Sequence, residues 1–269
     1  MRWRGARSIG SLLAAILGVV PPAAAQSDAP INTDRPSFTS APRVVGAGVV
    51  QIESGLVAGR DTVDEVTAQT LTAPDVLVRL GLTRRLELRA GTAGWIREDS
   101  GRSGQPATSS ASDTAVALEY QLAFQEGAGL DLAVIAGTSV PTGGAASTGT
   151  IDPFVRLVWN RALGGAVSLG GTVNWSQPTV PGPSERVRLR TLEASLVLGH
   201  GLGGSWSAFW EAVGRHEDLD AEATSWFANA GVLKTFGADW QADAWLGRGL
   251  NDAATDWSGG VGLSFRFRR

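Results

Sequence analysis

The chain has no cysteine, two histidines and a single lysine, Lys234. Without disulfides, stability must come from a sizeable core or from a large closed hydrogen-bonded structure. With only His200 and His216, there is little material for imidazole chemistry. The formal charge is −3, and nearly all the positive charge is arginine. This balance gives no support to a nucleic-acid partner. Beyond residue 25 there is also no apolar run approaching the roughly 20 residues that a helical membrane span requires. Any membrane insertion must therefore be by strands.

The first residues are of a different kind. Arg2, Arg4 and Arg7 precede the apolar run Ile9 to Val20, which leads into Pro21-Pro22-Ala23-Ala24-Ala25. A charged start, a short apolar middle and an A-x-A end describe a cleaved secretory signal peptide over 1–25. The run is too short for a membrane anchor. Removing three arginines makes the mature chain more acidic than the whole.

The stretch Pro74 to Gly94 organises the rest. Val76, Val78 and Leu80 share one face, opposed by Asp75, Leu77 and Arg79; after Gly81-Leu82-Thr83-Arg84, Leu86, Leu88 and Ala90 oppose Arg85, Glu87 and Arg89. Two alternating runs about a tight polar turn predict a β-hairpin. The same period continues along the chain. Twelve segments follow it, at roughly 44–60, 66–80, 85–98, 112–125, 130–142, 150–161, 165–177, 186–200, 203–216, 223–236, 238–250 and 256–267. Their faces divide cleanly in several places, as with Val116, Leu118, Tyr120 and Leu122 against Ala117, Glu119 and Gln121. The segment 186–200 is untidy, because Arg188 and Arg190 share parity with Leu192, Leu196 and Leu198; it requires a bulge or an interfacial arginine pair.

The connections alternate in length. Short ones fall near 81–84, 126–129, 162–164, 201–202 and 237, and longer polar ones near 61–65, 99–111, 143–149, 178–185, 217–222 and 251–255. Short periplasmic turns, long external loops and an even strand number are the signature of a bacterial transmembrane barrel. Tryptophan supports the same register. Trp95, Trp175, Trp226 and Trp257 lie beside long loops, and Trp159, Trp206 and Trp240 beside short turns, as interfacial aromatic girdles require. Trp210 and Trp245 fall mid-strand, the latter with luminal parity. The 35 glycines suit curved strands and turning loops. The predicted fold is all-β: a single antiparallel transmembrane β-barrel of about 12 strands. A periplasmic lead-in over 26–43 precedes the barrel at 44–269.

Little here suggests catalysis or a bound ion. An outer-membrane lipid hydrolase would need a serine–histidine pair on the lipid face. His216 has outward parity, but Ser225, the nearest serine downstream, has luminal parity. The acidic run Arg215 to Glu222 lacks the glycine of a tight calcium loop, and Pro141-Thr142-Gly143-Gly144 lacks the lysine of a phosphate loop. No enzyme, metal or cofactor is expected.

The candidate site is the luminal face. Parity places Glu53, Arg79, Glu87, Arg89, Glu119, Arg156, Glu193, Glu211, Asp243 and Arg266 inside. In a small barrel such charges must pair or meet water. They form either an ion-paired core that stiffens the barrel or a polar constriction along a path. The lead-in carries Asp34, Arg35 and Pro36 just before the barrel; it is either a disordered leader or a segment that docks and partly plugs the periplasmic mouth. Asp34 would meet Arg79 or Arg89, and Arg35 would meet Glu53 or Glu87.

Several motifs also carry a resemblance. Asn32-Thr33-Asp34-Arg35-Pro36 with Thr39, followed by Gly48, Gln51, Glu53 and Gly55, resembles the opening of a family of outer-membrane transporter-like barrels associated with the meta-pathway of phenol degradation. Leu80 to Arg89, Val140-Pro141-Thr142-Gly143 and Gly262 to Phe267 resemble later signatures of that family. The resemblance spans nearly the whole mature chain and implies an outer-membrane location with a role in the passage of aromatic or other hydrophobic compounds. The chain departs from the pattern at its end, where Arg268 and Arg269 follow Phe267 instead of a terminal aromatic residue. The sequence therefore predicts a narrow monomeric outer-membrane channel that contacts lipid and the barrel assembly machinery, with a small-molecule substrate. A non-conducting structural or adhesive barrel is the alternative, and a lipid hydrolase a distant third.

Overall fold

The computed structural model describes residues 29–181, 185–218 and 224–268. The signal peptide, most of the acidic run after Glu217 and Arg269 lie outside them. The strands are β1 (Val50–Val63), β2 (Val66–Gly81), β3 (Leu86–Thr92), β4 (Trp95–Asp99), β5 (Thr108–Ala111), β6 (Thr114–Ala123), β7 (Asp131–Val140), β8 (Asp152–Gly164) and β9 (Val167–Ser176). They continue with β10 (Thr179–Pro181), β11 (Arg186–Arg188), β12 (Thr191–Gly203), β13 (Trp206–Glu217), β14 (Thr224–Phe236), β15 (Trp240–Gly249) and β16 (Trp257–Phe267). A short helix, α1 (Gln125–Ala128), fills the turn between β6 and β7.

Each strand pairs antiparallel with its neighbours, and β1 pairs with both β2 and β16. The sheet is thus closed on itself through β1 and β16, the one arrangement of strands that satisfies backbone hydrogen bonds in lipid, while the short β5 pairs with β4 on one side. Two of its staves are interrupted: β3 and β4 both pair with β2, while β4 pairs with β5 and β3 with β6. Counted as staves, this is a closed 12-strand barrel. The interruptions have a local cause. Pro74 has no N–H to donate, and the β1–β2 register shifts beside it, between Gly55 and Val57. The next stave breaks at the same level, between Thr92 and Trp95.

The two faces divide as the period-two reading predicts. Leu118, Tyr120, Leu157, Leu196, Leu246 and Leu263 point outward and are exposed to the surroundings. Glu53, Glu87, Arg89, Glu119, Gln121 and Ser264 are buried within the barrel. Trp95, Trp175, Trp226 and Trp257 point outward at one end of the barrel, and Trp206 and Trp240 at the other. Near the short turns, Trp240 stacks on Phe265, Phe265 meets Phe267 edge-on, and Lys234 lies 4.4 Å over the Trp206 ring. An apolar belt between two aromatic girdles is the lipid-facing surface of an outer-membrane barrel.

Three expectations are corrected. β1 starts at Val50, not near Val44, because Gly46 and Gly48 take positive φ (88° and 76°) and turn the chain before it can pair. The connection near 61–65 is not a long loop. Asp64 and Glu65, both with positive φ, make a two-residue turn between Val63 and Val66, the geometry that matches the twist of a hairpin. The segment 186–200 is not one strand: Arg186–Arg188 pairs with Thr179–Pro181 in a separate hairpin, and the stave begins at Thr191. Arg188 therefore lies outside the barrel wall, and no bulge is needed to accommodate it.

Candidate functional site: the lumen and its N-terminal plug

Residues 29–49 do not lie along the barrel rim. They enter the lumen, turn inside it and return to the mouth where β1 begins. At the mouth the Ile31 amide donates to the Ala238 carbonyl (2.8 Å), in the turn between β14 and β15. The Asn32 carbonyl accepts from Gln51 Nε2 (2.8 Å) and Arg79 Nη1 (3.1 Å). Deeper, the amides of Asp34 and Arg35 donate to Glu53 Oε2 (2.9 and 3.1 Å). At the tip the amides of Phe38 and Thr39 donate to the Glu211 carboxylate (2.8 and 2.7 Å), and that of Ser40 to Thr172 Oγ1 (3.2 Å). On the way back the Ala41 amide donates to Asp34 Oδ1 (3.1 Å) and the Val45 amide to Glu87 Oε2 (2.8 Å). Arg43 bonds Asp131 (2.7 Å).

The luminal carboxylates thus act as acceptors for a segment that has no strand partner. A buried main-chain N–H must find an acceptor, and a charged acceptor makes the stronger bond. This is why so many acids line the interior of a small barrel.

Arginine holds the acids together. Arg79, 0% exposed, donates to Glu87 through Nε (2.7 Å) and Nη2 (3.2 Å), to the Arg43 carbonyl (2.7 Å), and lies 3.4 Å from Glu53 and 3.6 Å from Asp34. Arg89 bonds both Glu119 and Asp34. Asp34 therefore meets both of the arginines expected for it. Arg35 does not meet its expected partners through its side chain. Only its amide reaches Glu53, while its guanidinium bridges Asp75 (3.1 Å) and Asp243 (3.3 Å) and donates to the Val261 carbonyl (3.1 Å). It rests on Gly55 and Gly262, which face each other across the β1–β16 seam. A Cβ on either glycine would overlap the guanidinium.

The other expected luminal residues are distributed around this centre. Glu193 is bound by Arg215 (2.6 Å) and Asn174 (2.5 Å). Glu211 takes the plug amides and Asn229 (3.0 Å). Arg266 sits at the mouth, paired with Asp239 (2.7 Å) and bonded to the Ala29 and Ala238 carbonyls. Arg268, beyond the last strand, pairs with the same Asp239 (2.6 Å), so this end is tied to the β14–β15 turn. Gln51, Gln121, Asp131, Asn174 and Asn229 share the parity of the charges and are buried or hydrogen-bonded in the lumen, but the sequence reading did not count them in the site. Asp75 was placed on the polar face but not in the site.

Above the plug tip lies a cavity of about 380 Å³ bounded by Phe38, Leu77, Arg156, Phe227, Asn229 and Trp245 among others. Phe38 of the plug meets Phe227 of β14 edge-on at 6.0 Å. Trp245, odd in the girdle pattern, belongs to this luminal cavity. On the outer side, His216 Nδ1 is 3.1 Å from Thr224 Oγ1, while the Ser225 hydroxyl faces the Arg215 carbonyl. Among the described residues no three metal-ligating side chains cluster.

The fold has well-matched solved relatives. The COG4313 outer membrane channel from Pseudomonas putida F1 aligns with a TM-score of 0.63 at 16% identity, over 84% of this chain and 97% of that one. The NanC porin aligns at 0.55 with 9% identity, over 80% and 98%. The transport unit of the autotransporter AIDA-I from Escherichia coli aligns at 0.50 with 9% identity, over 82% and 90%. At these identities the likeness concerns the fold alone. No curated protein sequence matches the chain. Residues 33–267, from the plug to the last strand, match the family described as "Putative MetA-pathway of phenol degradation", and the chain belongs to that family.

Proposed function

We propose that the protein is a narrow, monomeric outer-membrane channel for small apolar or aromatic compounds, with residues 29–49 closing its periplasmic mouth. The observation that carries this reading is how the plug is held. Apart from main-chain bonds at its two ends, from Ile31 to Ala238 and between residues 48–49 and Gly81, it is held by hydrogen bonds and ion pairs that involve side chains, not by strand pairing. It can therefore leave without breaking the ladder that closes the barrel. The cavity above the plug and the family's association with aromatic degradation support the same reading. A filled, non-conducting structural barrel is favoured by one observation, the fully buried Arg79 centre.

Single-channel recording in planar bilayers separates the two. Deleting residues 26–38 should raise conductance and shift ion preference while the barrel stays folded, as judged by heat-modifiable migration. Equal conductance and selectivity with and without the segment would refute its role as a plug. A folded barrel that conducts in neither form would establish the structural reading.

A further inference from the structure

Among the luminal arginines, Arg156 of β8 has different company from the rest. Arg35, Arg79, Arg89 and Arg215 each face at least one carboxylate within 4 Å. Arg156 has none among the described residues. Its guanidinium lies 3.4 Å from the Ser40 hydroxyl and 5.0 Å from the centre of the Phe154 ring. A guanidinium has five N–H donors in a planar fork suited to a carboxylate, and here most of them are uncommitted.

The surroundings specify what else a ligand should carry. Arg156 faces the cavity whose apolar wall is Phe38, Leu77, Phe227 and Trp245. The acids that also border it are already engaged, Asp34 with Arg89, Glu53 with plug amides and Asp75 with Arg35. Asn174 and Asn229 commit their amide N–H groups to Glu193 and Glu211, leaving carbonyl oxygens without partners. At about 380 Å³ the space is at the small end of the range for small-molecule sites.

We propose that this cavity binds a small organic monoanion, a carboxylate carried on an apolar body the size of one ring. The carboxylate would take the Arg156 fork with the Ser40 hydroxyl, and the ring would lie against Phe38, Phe227 and Trp245. This deepens the channel reading and rests on it for the ligand's passage, but the binding itself does not require conduction. Because Phe38 and Ser40 belong to the plug, the ligand contacts plug and wall together.

Calorimetry on the folded full barrel in detergent tests the proposal, with benzoate, acetate and benzyl alcohol as probes. Benzoate should bind saturably, and acetate and benzyl alcohol about tenfold more weakly or worse. Arg156→Gln should weaken benzoate about tenfold or more, the loss expected for a charged hydrogen bond, and leave benzyl alcohol unchanged. Arg156→Lys should retain part of the affinity. Among the described residues Arg156 is in no ion pair, so neither variant removes a salt-bridge partner; heat-modifiable migration checks that the barrel folds. Phe227→Leu should weaken benzoate and leave acetate unchanged. No saturable benzoate binding, or equal binding by wild type and Arg156→Gln, would overturn the proposal. Benzoate binding by a barrel that conducts in no form would uphold this site while refuting the channel; conduction without benzoate binding would do the reverse.

Discussion

Arg79→Met asks what kind of interior this barrel has. The substitution keeps much of the side-chain volume and removes the charge. Glu87 loses bonds of 2.7 and 3.2 Å and keeps only the Val45 amide and Arg89 at 3.5 Å, and the cation 3.4 Å from Glu53 is gone. The carbonyls of Asn32 and Arg43 each lose a donor as well. Both carboxylate side chains are 0% exposed. Removing one partner of a buried ion pair costs about 3–5 kcal/mol, because the remaining charge stays desolvated. If water instead fills the lumen at this level, the pairs behave as exposed ones, worth about 0–1 kcal/mol. We expect the larger value, with the barrel still folded but sharply weakened. Denaturant unfolding in lipid vesicles, followed by tryptophan fluorescence, measures it. Adding Glu87→Gln should recover part of the loss by removing a charge left with fewer partners, so the double variant should be less destabilised than the sum of the singles. A cost under about 1 kcal/mol with additive singles would refute the dry ion-paired centre and leave a hydrated constriction in its place.

Three further outcomes follow from individual contacts. Gly262→Ala should drive the Arg35 guanidinium out of its notch between Asp75 and Asp243; the folded barrel should then unfold at lower denaturant in vesicles, and an unchanged midpoint would refute the notch. Leu118→Arg, on the outward face, should cost about 2–4 kcal/mol near the bilayer midplane, whereas Thr67→Arg, near the β1–β2 turn, should cost far less; equal losses in vesicle unfolding would mean that the depths are misassigned. Hydrogen bonding from Arg266 holds the Asp239 carboxyl below its ordinary value of 3.8, with Arg268 adding to it against a smaller opposing effect of burial. A lowered native value means stability that is present above pH 3.8 and lost as pH falls through the native value, so Asp239→Asn should flatten that acid limb in unfolding measured against pH, and an unchanged limb would refute the pairing.

The period of two in residues such as Val76 to Arg89 determined the strands and their faces, because a strand's side chains alternate whatever the strand packs against. The placement of Glu53, Arg79, Glu87 and Glu119 inside followed from that alone. So did the girdle tryptophans, since an amphipathic ring is sorted by depth and depth is set by distance along a strand. Parity, however, gives neither height in the lumen nor the stave across it. Arg35 was expected to reach Glu53 or Glu87. Its guanidinium instead meets Asp75 and Asp243, the latter 208 residues away. Only closure of β1 on β16 brings Gly55 and Gly262 together as the notch that receives it. The same closure gathers Phe38, Arg156, Phe227 and Trp245, from the plug, β8, β14 and β15, around one cavity. Local alternation is a property of short stretches and can be read from them. Which residues face one another across a lumen depends on strand count, tilt and register together, and only the closed barrel sets these.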